Sequence, residues 1–594
     1  VPPALAWLDG ALAIKGTNRD HMVREELRAQ GAMNVTVRNI ITSMRQISMV
    51  DWTELFERMS LVDAVLKADS EFSGMDFATR DCYRRAIEKL ARGSKHSEVD
   101  VATRAVDAAK RAARRAPGGR LSDRERDPGY YLIAKGRKGL EQEIGFRAPR
   151  SEWLSRLSLG ARSAFYLGLI ALVTLAIAAL AVAGIAIAGI DGWSLLWFAL
   201  IAIIPASDAA VALVNRIVVG RFGPALLPAM DLTAGVPSHL RTLVAMPVLL
   251  TNRVQVEQLV DQLEVHYLAS TDGDLYFALL SDWTDSDQET APDDAELLEA
   301  ARAGIAELNR RHGPAAGGPR FSLLHRRRVW NAGEGKWIGW ERKRGKLQEL
   351  NRLLRGSNET TFLSENGHPP QVPPGVRYVI TLDADTRLPR EAALKLIGKM
   401  AHPLNRPMLD RMVGRVVDGH AILQPRVTPS MPVGREGSLL QHLFSQPRGL
   451  DPYAFAVSDV YQDLFQEGSY CGKGIYDVDV FEKALEGRIP DNTVLSHDLL
   501  EGCFARAGLV SDIEVVEDFP ARYEVSAARQ HRWVRGDWQI LPWLLPIVPA
   551  PDGWRRNPLT MLSKWKVFDN LRRSLVPPLL FALLVVGFFC LVRL

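Results

Sequence analysis

Cysteine is scarce in this chain: Cys82, Cys471, Cys503 and Cys590 are the four among 594 residues, with no CxxC pair and no zinc-like spacing. Their scatter excludes a disulfide framework and fits a reducing compartment. An excess of one charge sign is lacking too. The 73 Lys and Arg against 69 Asp and Glu leave a formal net charge of +4, too small to argue for nucleic acid. The chain opens Val1-Pro2-Pro3 without a methionine and stops at Leu594, in or just after an apolar run. That predicts a piece of a longer polypeptide and makes the lack of a leader uninformative.

What is present is strongly segregated. The mean hydropathy of −0.04 averages lipid-like runs with charged stretches. Residues 165–190 carry no charge, more than the roughly 20 residues a helix needs to cross a bilayer. Beyond Asp191-Gly192, residues 193–214 are apolar except for Asp208, and Trp193 and Trp197 suit an interfacial belt. A transmembrane hairpin over 160–218 is predicted, with Asp208 reaching water near its cytoplasmic end. A further span is predicted over 574–594, behind Arg572 and Arg573. Arg147, Arg150, Arg156 and Arg162 precede the hairpin, and Arg216 and Arg221 follow it. The positive-inside rule then places 221–538 in the cytoplasm.

Residues 1–150 predict an α-helical interaction or scaffolding region without a chemical motif, from helical spacing of apolar residues at 50–59 and 84–90. Arg111, Arg114 and Arg115 read as a solvated face. The stretch 115–128 around Pro117-Gly118-Gly119 reads as a linker.

Residues 221–538 alternate strands (243–250, 275–280, 321–325, 376–382) with helices (254–269, 292–311 with Pro292 in its first turn, 346–354). This order predicts an α/β domain with a mostly parallel sheet and a ligand at the carboxyl ends of its strands. The last strand delivers Asp383-Ala384-Asp385 into a loop, a pattern suited to a divalent metal or a nucleotide diphosphate. Asp282, at the end of an earlier strand, fits either a ribose or base contact or a plain surface loop. Lys343-Arg344-Gly345-Lys346 opens a helix, where phosphate is favoured, or is a solvated basic turn. In Ser496-His497-Asp498-Leu499-Leu500-Glu501-Gly502, Asp498 fits a general base for a sugar hydroxyl and, equally, a helix N-cap. Residues 529–538 concentrate guanidinium and indole groups, which bind phosphate and stack on sugars. Residues 539–554 are apolar but broken by Pro542, Pro546 and Pro549, so 539–572 is predicted to lie in the membrane interface.

Together, Thr381-Leu382-Asp383-Ala384-Asp385-Thr386, Gly472-Lys473-Gly474-Ile475-Tyr476-Asp477, the Asp498 segment and residues 529–538 resemble a processive family 2-like membrane glycosyltransferase. The nearer resemblance is to the glucosyltransferase part of bacterial cyclic β-1,2-glucan synthases, over about residues 150–594. It implies a GT-A-type fold, UDP-glucose as donor, Mg2+ or Mn2+, inversion at the anomeric carbon, and a growing β-glucan as acceptor. A bacterial inner-membrane setting with a cytoplasmic catalytic domain is implied, as are further glycoside-hydrolase-like domains in a longer polypeptide. Asp282, Lys346 and Asp383 would serve the donor nucleotide, Asp385 the metal, and Asp498 the base. Arg532 and Trp533 would hold diphosphate and acceptor. Tyr470-Cys471-Gly472 resembles the acceptor-end element of related synthases. A protein-linked primer is implied, for which Tyr453 is the candidate, followed by Tyr461 and Tyr476.

Two departures from the pattern stand out. Arg529 occupies the place where Gln is expected, with Gln530 one position later, and His497-Asp498 replaces the usual Glu-Asp. His497 either tunes the base or packs. The competing readings are a synthase of another β-linked polysaccharide and a non-catalytic nucleotide-binding export subunit.

Overall fold

The computed structural model describes residues 3–115, 120–149, 152–187, 189, 191–270, 273–364, 369–432, 437–445 and 458–592. The chain forms two compact units, Val1–Asp69 and Ser70–Leu594. The first is α-helical, with helices Pro3–Ile14, Arg19–Met49, Trp52–Met59 and Leu61–Ala68. Side chains set the last three starts: Asn18 accepts from the His21 N–H, Asp51 from Thr53 and Glu54, and Ser60 from Asp63.

The second unit begins with further helices, among them Phe77–Arg92 and Glu98–Arg115. Among the described residues, three helices are long and apolar enough to cross a membrane: Leu159–Ile187, Gly192–Phe222 and Met561–Phe588. The first two pair as a hairpin, with Tyr166 donating to Asn215 Oδ1 at 2.7 Å. The third joins the second through buried Arg572, whose Nη1 lies 3.0 Å from Asp208 Oδ1 while Nη2 lies 2.8 Å from Asp569 Oδ1. Asp208, expected to reach water, is half exposed and has a guanidinium partner as well. A carboxylate inside an apolar run is stabilised by such pairing, and its partner, 364 residues away, leaves no local trace in the sequence.

Between the spans lies an eight-stranded sheet. Its strands are β1 (Thr242–Leu250), β2 (Leu275–Trp283), β3 (Phe321–Arg326), β4 (Tyr378–Thr381), β5 (Thr386–Arg387), β6 (Ile422–Pro429), β7 (Gly474–Asp477) and β8 (Ala507–Glu517). Their spatial order is β3-β2-β1-β4-β7-β6-β8-β5. From β3 to β4 every pairing is parallel, as the strand and helix alternation predicts. Beyond β4 the expectation of a mostly parallel sheet fails. β7 runs antiparallel to both β4 and β6, β6 and β8 are parallel, and β5 is antiparallel to β8. The sheet is therefore mixed.

The apolar run of β1 and β2 reflects burial on both faces. Alternate residues divide between two cores. Val244, Met246, Val248, Phe277 and Leu279 pack with helices Arg253–Leu268, Asp294–His312 and Ala392–Ala401. Leu243, Ala245, Tyr276, Ala278 and Leu280 pack with helices Arg342–Leu353 and Val478–Leu485. Two helix starts differ from the sequence reading. The helix predicted at Pro292 starts at Asp294, after Asp293 as cap. The one predicted at 346 starts at Arg342, where Glu341 takes the left-handed conformation that turns the chain into it.

The apolar stretch after 539 forms a short 3₁₀ turn, Leu541–Leu544, and a hairpin of strands Ile547–Ala550 and Gly553–Arg556. Trp543 and Val548 are buried with Leu500, Phe504, Val567 and Leu571, whereas Leu541, Leu545 and Ile547 are exposed. Half of this segment thus packs on the domain, and half is open.

Candidate active site

The pairing of strands assembles the site. Asp383 leaves β4 two residues after Thr381. Because β7 is antiparallel to β4, with Gly474 opposite Thr381, its amino end brings Gly472 and Lys473 to the carboxyl end of β4. β5 pairs with β8 so that Thr386 lies opposite Glu517, which sets Glu517 beside the loop carrying Asp385. The same edge of the sheet thus collects residues separated by more than a hundred positions.

The charges there interlock. Lys343, in the first turn of helix Arg342–Leu353, donates to Asp383 Oδ1 and, at 2.8 Å, to the Gly472 carbonyl. Lys473 Nζ lies 3.0 Å from Asp383 Oδ2 and 2.9 Å from Glu517 Oε2. Arg529 contacts Glu517 through Nη2, and its Nη1 lies 3.6 Å from Asp385 Oδ2. Its guanidinium also sits 4.7 Å from the centroid of the Trp533 ring. Burial raises the Asp383 carboxyl, but Lys343 and Lys473 outweigh it and hold the group below the usual carboxylate range. Burial lowers Lys343 in turn, yet Asp383 and Asp498 raise it above the ordinary lysine value.

Asp498 faces this cluster from helix Asp498–Ala505. His497, not Asp498, is the cap residue, and it makes no side-chain capping bond. The cap explanation of Asp498 therefore falls, and its carboxylate lies against Gly472 and Lys343. A Cβ on Gly472 would come within 2.9 Å of both Asp498 oxygens and of Lys343 Nζ. Glycine, here at φ +83°, is what allows Asp498, Lys343 and the loop before β7 to converge. Burial pushes the Asp498 carboxyl up; Glu501 and Asp383 add to this, and His497 and Lys343 oppose it. Helix Tyr523–Gln539 closes on the loop before Asp498: Gly536 abuts Ser496, and Gln539 Oε1 accepts from the Leu495 N–H at 2.7 Å.

Asp282 and Lys346 lie beneath the cleft. Asp282 is buried and grips Arg326 with both oxygens at 2.8 Å, and Lys346 Nζ lies 3.1 Å from its Oδ2. Lys346 also donates to the Val248 carbonyl at 2.7 Å. Burial would raise Asp282, but Lys346 and Arg326 bring it below the usual range. Lys346 is itself lowered to about 8 by burial, against the pull of Asp282. Within the basic turn, then, Lys343 and not Lys346 reaches the carboxylate cluster.

The remaining sequence candidates are dispersed. Arg532 and Trp533 lie exposed on helix Tyr523–Gln539. Cys471 donates its N–H to Gln424 Oε1 at 3.0 Å, with Sγ 3.2 Å from the same atom. Tyr453 lies outside the described residues. Tyr476 is buried, donates to Asn351 at 2.9 Å and stacks on Phe481, as a core residue does. Tyr461 packs near Lys566.

Asp385 is the most open carboxylate of this cluster, 39% exposed with Arg529 no nearer than 3.6 Å. A hard oxygen donor suits Mg2+ or Mn2+, which fill their other positions with water and phosphate oxygens. His497, Asp498 and Glu501 also lie close, with ligand atoms within 4.8 Å of one another. His497 Nδ1 lies 2.9 Å from Glu501 Oε1, which pairs these two side chains beside Asp498.

Sequence reasoning passed over Lys473, Glu517 and Glu501. Lys473 sits in a Gly-Lys-Gly run that marks a close backbone approach. Glu517 merely ends a strand, and only the β5–β8 pairing gives it a role.

No protein-family model matches the chain. It is 45% identical over 585 residues to the cyclic β-(1,2)-glucan synthase NdvB of Rhizobium meliloti (strain 1021), covering 98% of this chain and 20% of the relative. The chain thus spans about a fifth of the length of the curated relative it matches. The resemblance carried by the motifs extends over nearly the whole chain.

Proposed function

We propose that this chain is the glucosyltransferase part of a cyclic β-1,2-glucan synthase: an inverting, processive GT-A-type enzyme that transfers glucose from UDP-glucose to a growing β-glucan. The observation that carries this reading is Lys343, which bridges Asp383 to the Gly472 carbonyl beside Asp498. It joins a diphosphate-binding cation to a general base in one cleft. The similarity to a glucan synthase over 98% of the chain supports it.

Asp498 accepts the proton of the acceptor 2-hydroxyl as that oxygen attacks the anomeric carbon, in one displacement that inverts configuration. Lys343, Lys473 and Arg529 are held by Asp383 and Glu517 and turn to the diphosphate as negative charge gathers on it. Asp385 would hold Mg2+ or Mn2+, which would supply further positive charge to the leaving group. Asp383 addresses the nucleotide through Lys343 and Lys473, and Asp282 fixes Arg326 and Lys346 as the floor. Arg532 and Trp533 serve the acceptor from the neighbouring helix. The site faces the cytoplasm of a bacterial inner membrane, and Tyr453 carries the primer. Glycoside-hydrolase-like domains of a longer polypeptide complete the synthase.

The test is release of UDP from UDP-glucose by membranes containing the protein, with linkage analysis of the glucan formed. We expect β-1,2 linkages, and a loss of about 10²–10⁴-fold in Asp498→Asn. Equal release by the mutant, or another linkage, overturns the reading.

A further inference from the structure

His497 and Glu501 have no part in binding donor or acceptor as described above, yet both are almost fully buried, at 6% and 3% exposed. They sit one turn apart, where helix geometry puts side chains on a common face. His497 Nδ1 lies 2.9 Å from Glu501 Oε1 and 3.6 Å from Asp498 Oδ1. Asp498, the next residue, is rotated by about 100° around the helix and faces Gly472 and Lys343. The imidazole is thus placed between a buried carboxylate behind the site and the carboxylate that meets the acceptor. The backbone around it is fixed by Gly536 against Ser496 and by Gly502 against Tyr470.

The other groups that face this pair are known. Helix Arg342–Leu353 contributes Lys343 toward Asp498 and Arg344 toward His497; Asp383 approaches from the end of β4 and Tyr470 from the loop before β7. Arg344 is occupied by Glu341 at 2.7 Å and Asp491 at 3.3 Å. Helix Tyr523–Gln539 meets the loop through Gly536 and Gln539. Three influences disfavour a charged Asp498: its burial, Glu501 and Asp383. A base that holds its proton cannot take another, so the site requires a cation beside Asp498 that stays charged before the diphosphate draws Lys343 away. Burial would discharge His497, but Glu501 and Asp498 reverse this and raise it above the ordinary histidine value.

We propose that His497, held by Glu501, is a positioning residue that keeps the Asp498 carboxylate ionised and turned toward the acceptor hydroxyl. The proposal rests on the reading of Asp498 as the general base.

The test follows UDP release from UDP-glucose against pH, in membranes containing the full-length protein, for the wild type, His497→Gln and Glu501→Gln, with UDP binding measured alongside. The acid limb of the rate profile reports the base. In His497→Gln it should move to higher pH by about one unit, the size expected when a neighbouring opposite charge is lost, with KM for UDP-glucose unchanged. Glu501→Gln, which loses the anchor of the imidazole, should lower kcat about tenfold or more at unchanged KM. If His497→Gln does not bind UDP, the Glu501→Gln result decides. A wild type without UDP release defeats the functional reading itself. A working wild type whose acid limb stays in place in His497→Gln, or whose kcat survives Glu501→Gln, overturns only the present inference.

Discussion

Arg529 Nη1 lies 3.6 Å from Asp385 Oδ2, while its Nη2 is bound to Glu517. The residue that stands where Gln is expected therefore enters the carboxylate cluster itself, and Glu517 is its anchor. A fixed guanidinium beside an open carboxylate is suited to a diphosphate that brings its own metal.

Arg529→Gln should raise KM for UDP-glucose by about tenfold or more, since a charge-assisted hydrogen bond contributes roughly 1.5–3 kcal/mol. Steady-state UDP release at varied UDP-glucose measures this. Chelation by EDTA should stop turnover, with Mg2+ or Mn2+ restoring it. Asp385→Asn should require more metal for half-restoration, whereas Arg529→Gln should not.

Gly472→Ala should reduce glucose transfer by about 10- to 100-fold. The added Cβ meets both Asp498 oxygens and Lys343 Nζ at 2.9 Å, on a backbone at φ +83° where strain costs about 1–3 kcal/mol. UDP binding, measured by calorimetry, should fall less than transfer.

Asp282→Asn should destabilise the fold by about 3–5 kcal/mol, because it takes from buried Lys346 the carboxylate it pairs with and leaves buried Arg326 with Glu349 alone. The acid dependence has a defined sign. The folded Asp282 carboxyl titrates below its unfolded value near 3.8, so its stabilisation is complete above that value. It is lost as the pH falls through the lower folded value. Acid unfolding followed by tryptophan fluorescence should therefore show an extra loss of stability below about pH 4 in the wild type, and none from this group in Asp282→Asn.

Some of this could be read along the chain. The runs at 165–190 and 193–214 became long apolar helices, because hydrophobicity over one continuous segment is a local property. β1, β2 and β3 and the helices between them lie within a few residues of the bounds expected, since their apolar stretches lie between recognisable turns. Asp383 and Asp498 stand out along the chain because one closely follows the end of a strand and the other begins a helix. Tyr453 was singled out too and lies outside the described residues.

The remainder depended on contacts between distant segments. The antiparallel insertion of β7 changed a parallel sheet into a mixed one, yet four residues of Gly-Ile-Tyr-Asp carry no mark of direction. Lys343 and Lys346 are three residues apart on one helix, and only packing decides that the first reaches Asp383 while the second is buried under Asp282. Asp208 acquired Arg572 in the same way.

Local sequence carried the segments apolar enough for a membrane, the strands and helices of the first half of the sheet, and the acidic and basic residues available for chemistry. These follow from the periodicity and polarity of neighbouring residues. Tertiary structure alone decided which carboxylates stay open, which are neutralised and which cation serves each one. Charge energies depend on distance and burial, and both are set by strand pairing and helix packing across hundreds of residues.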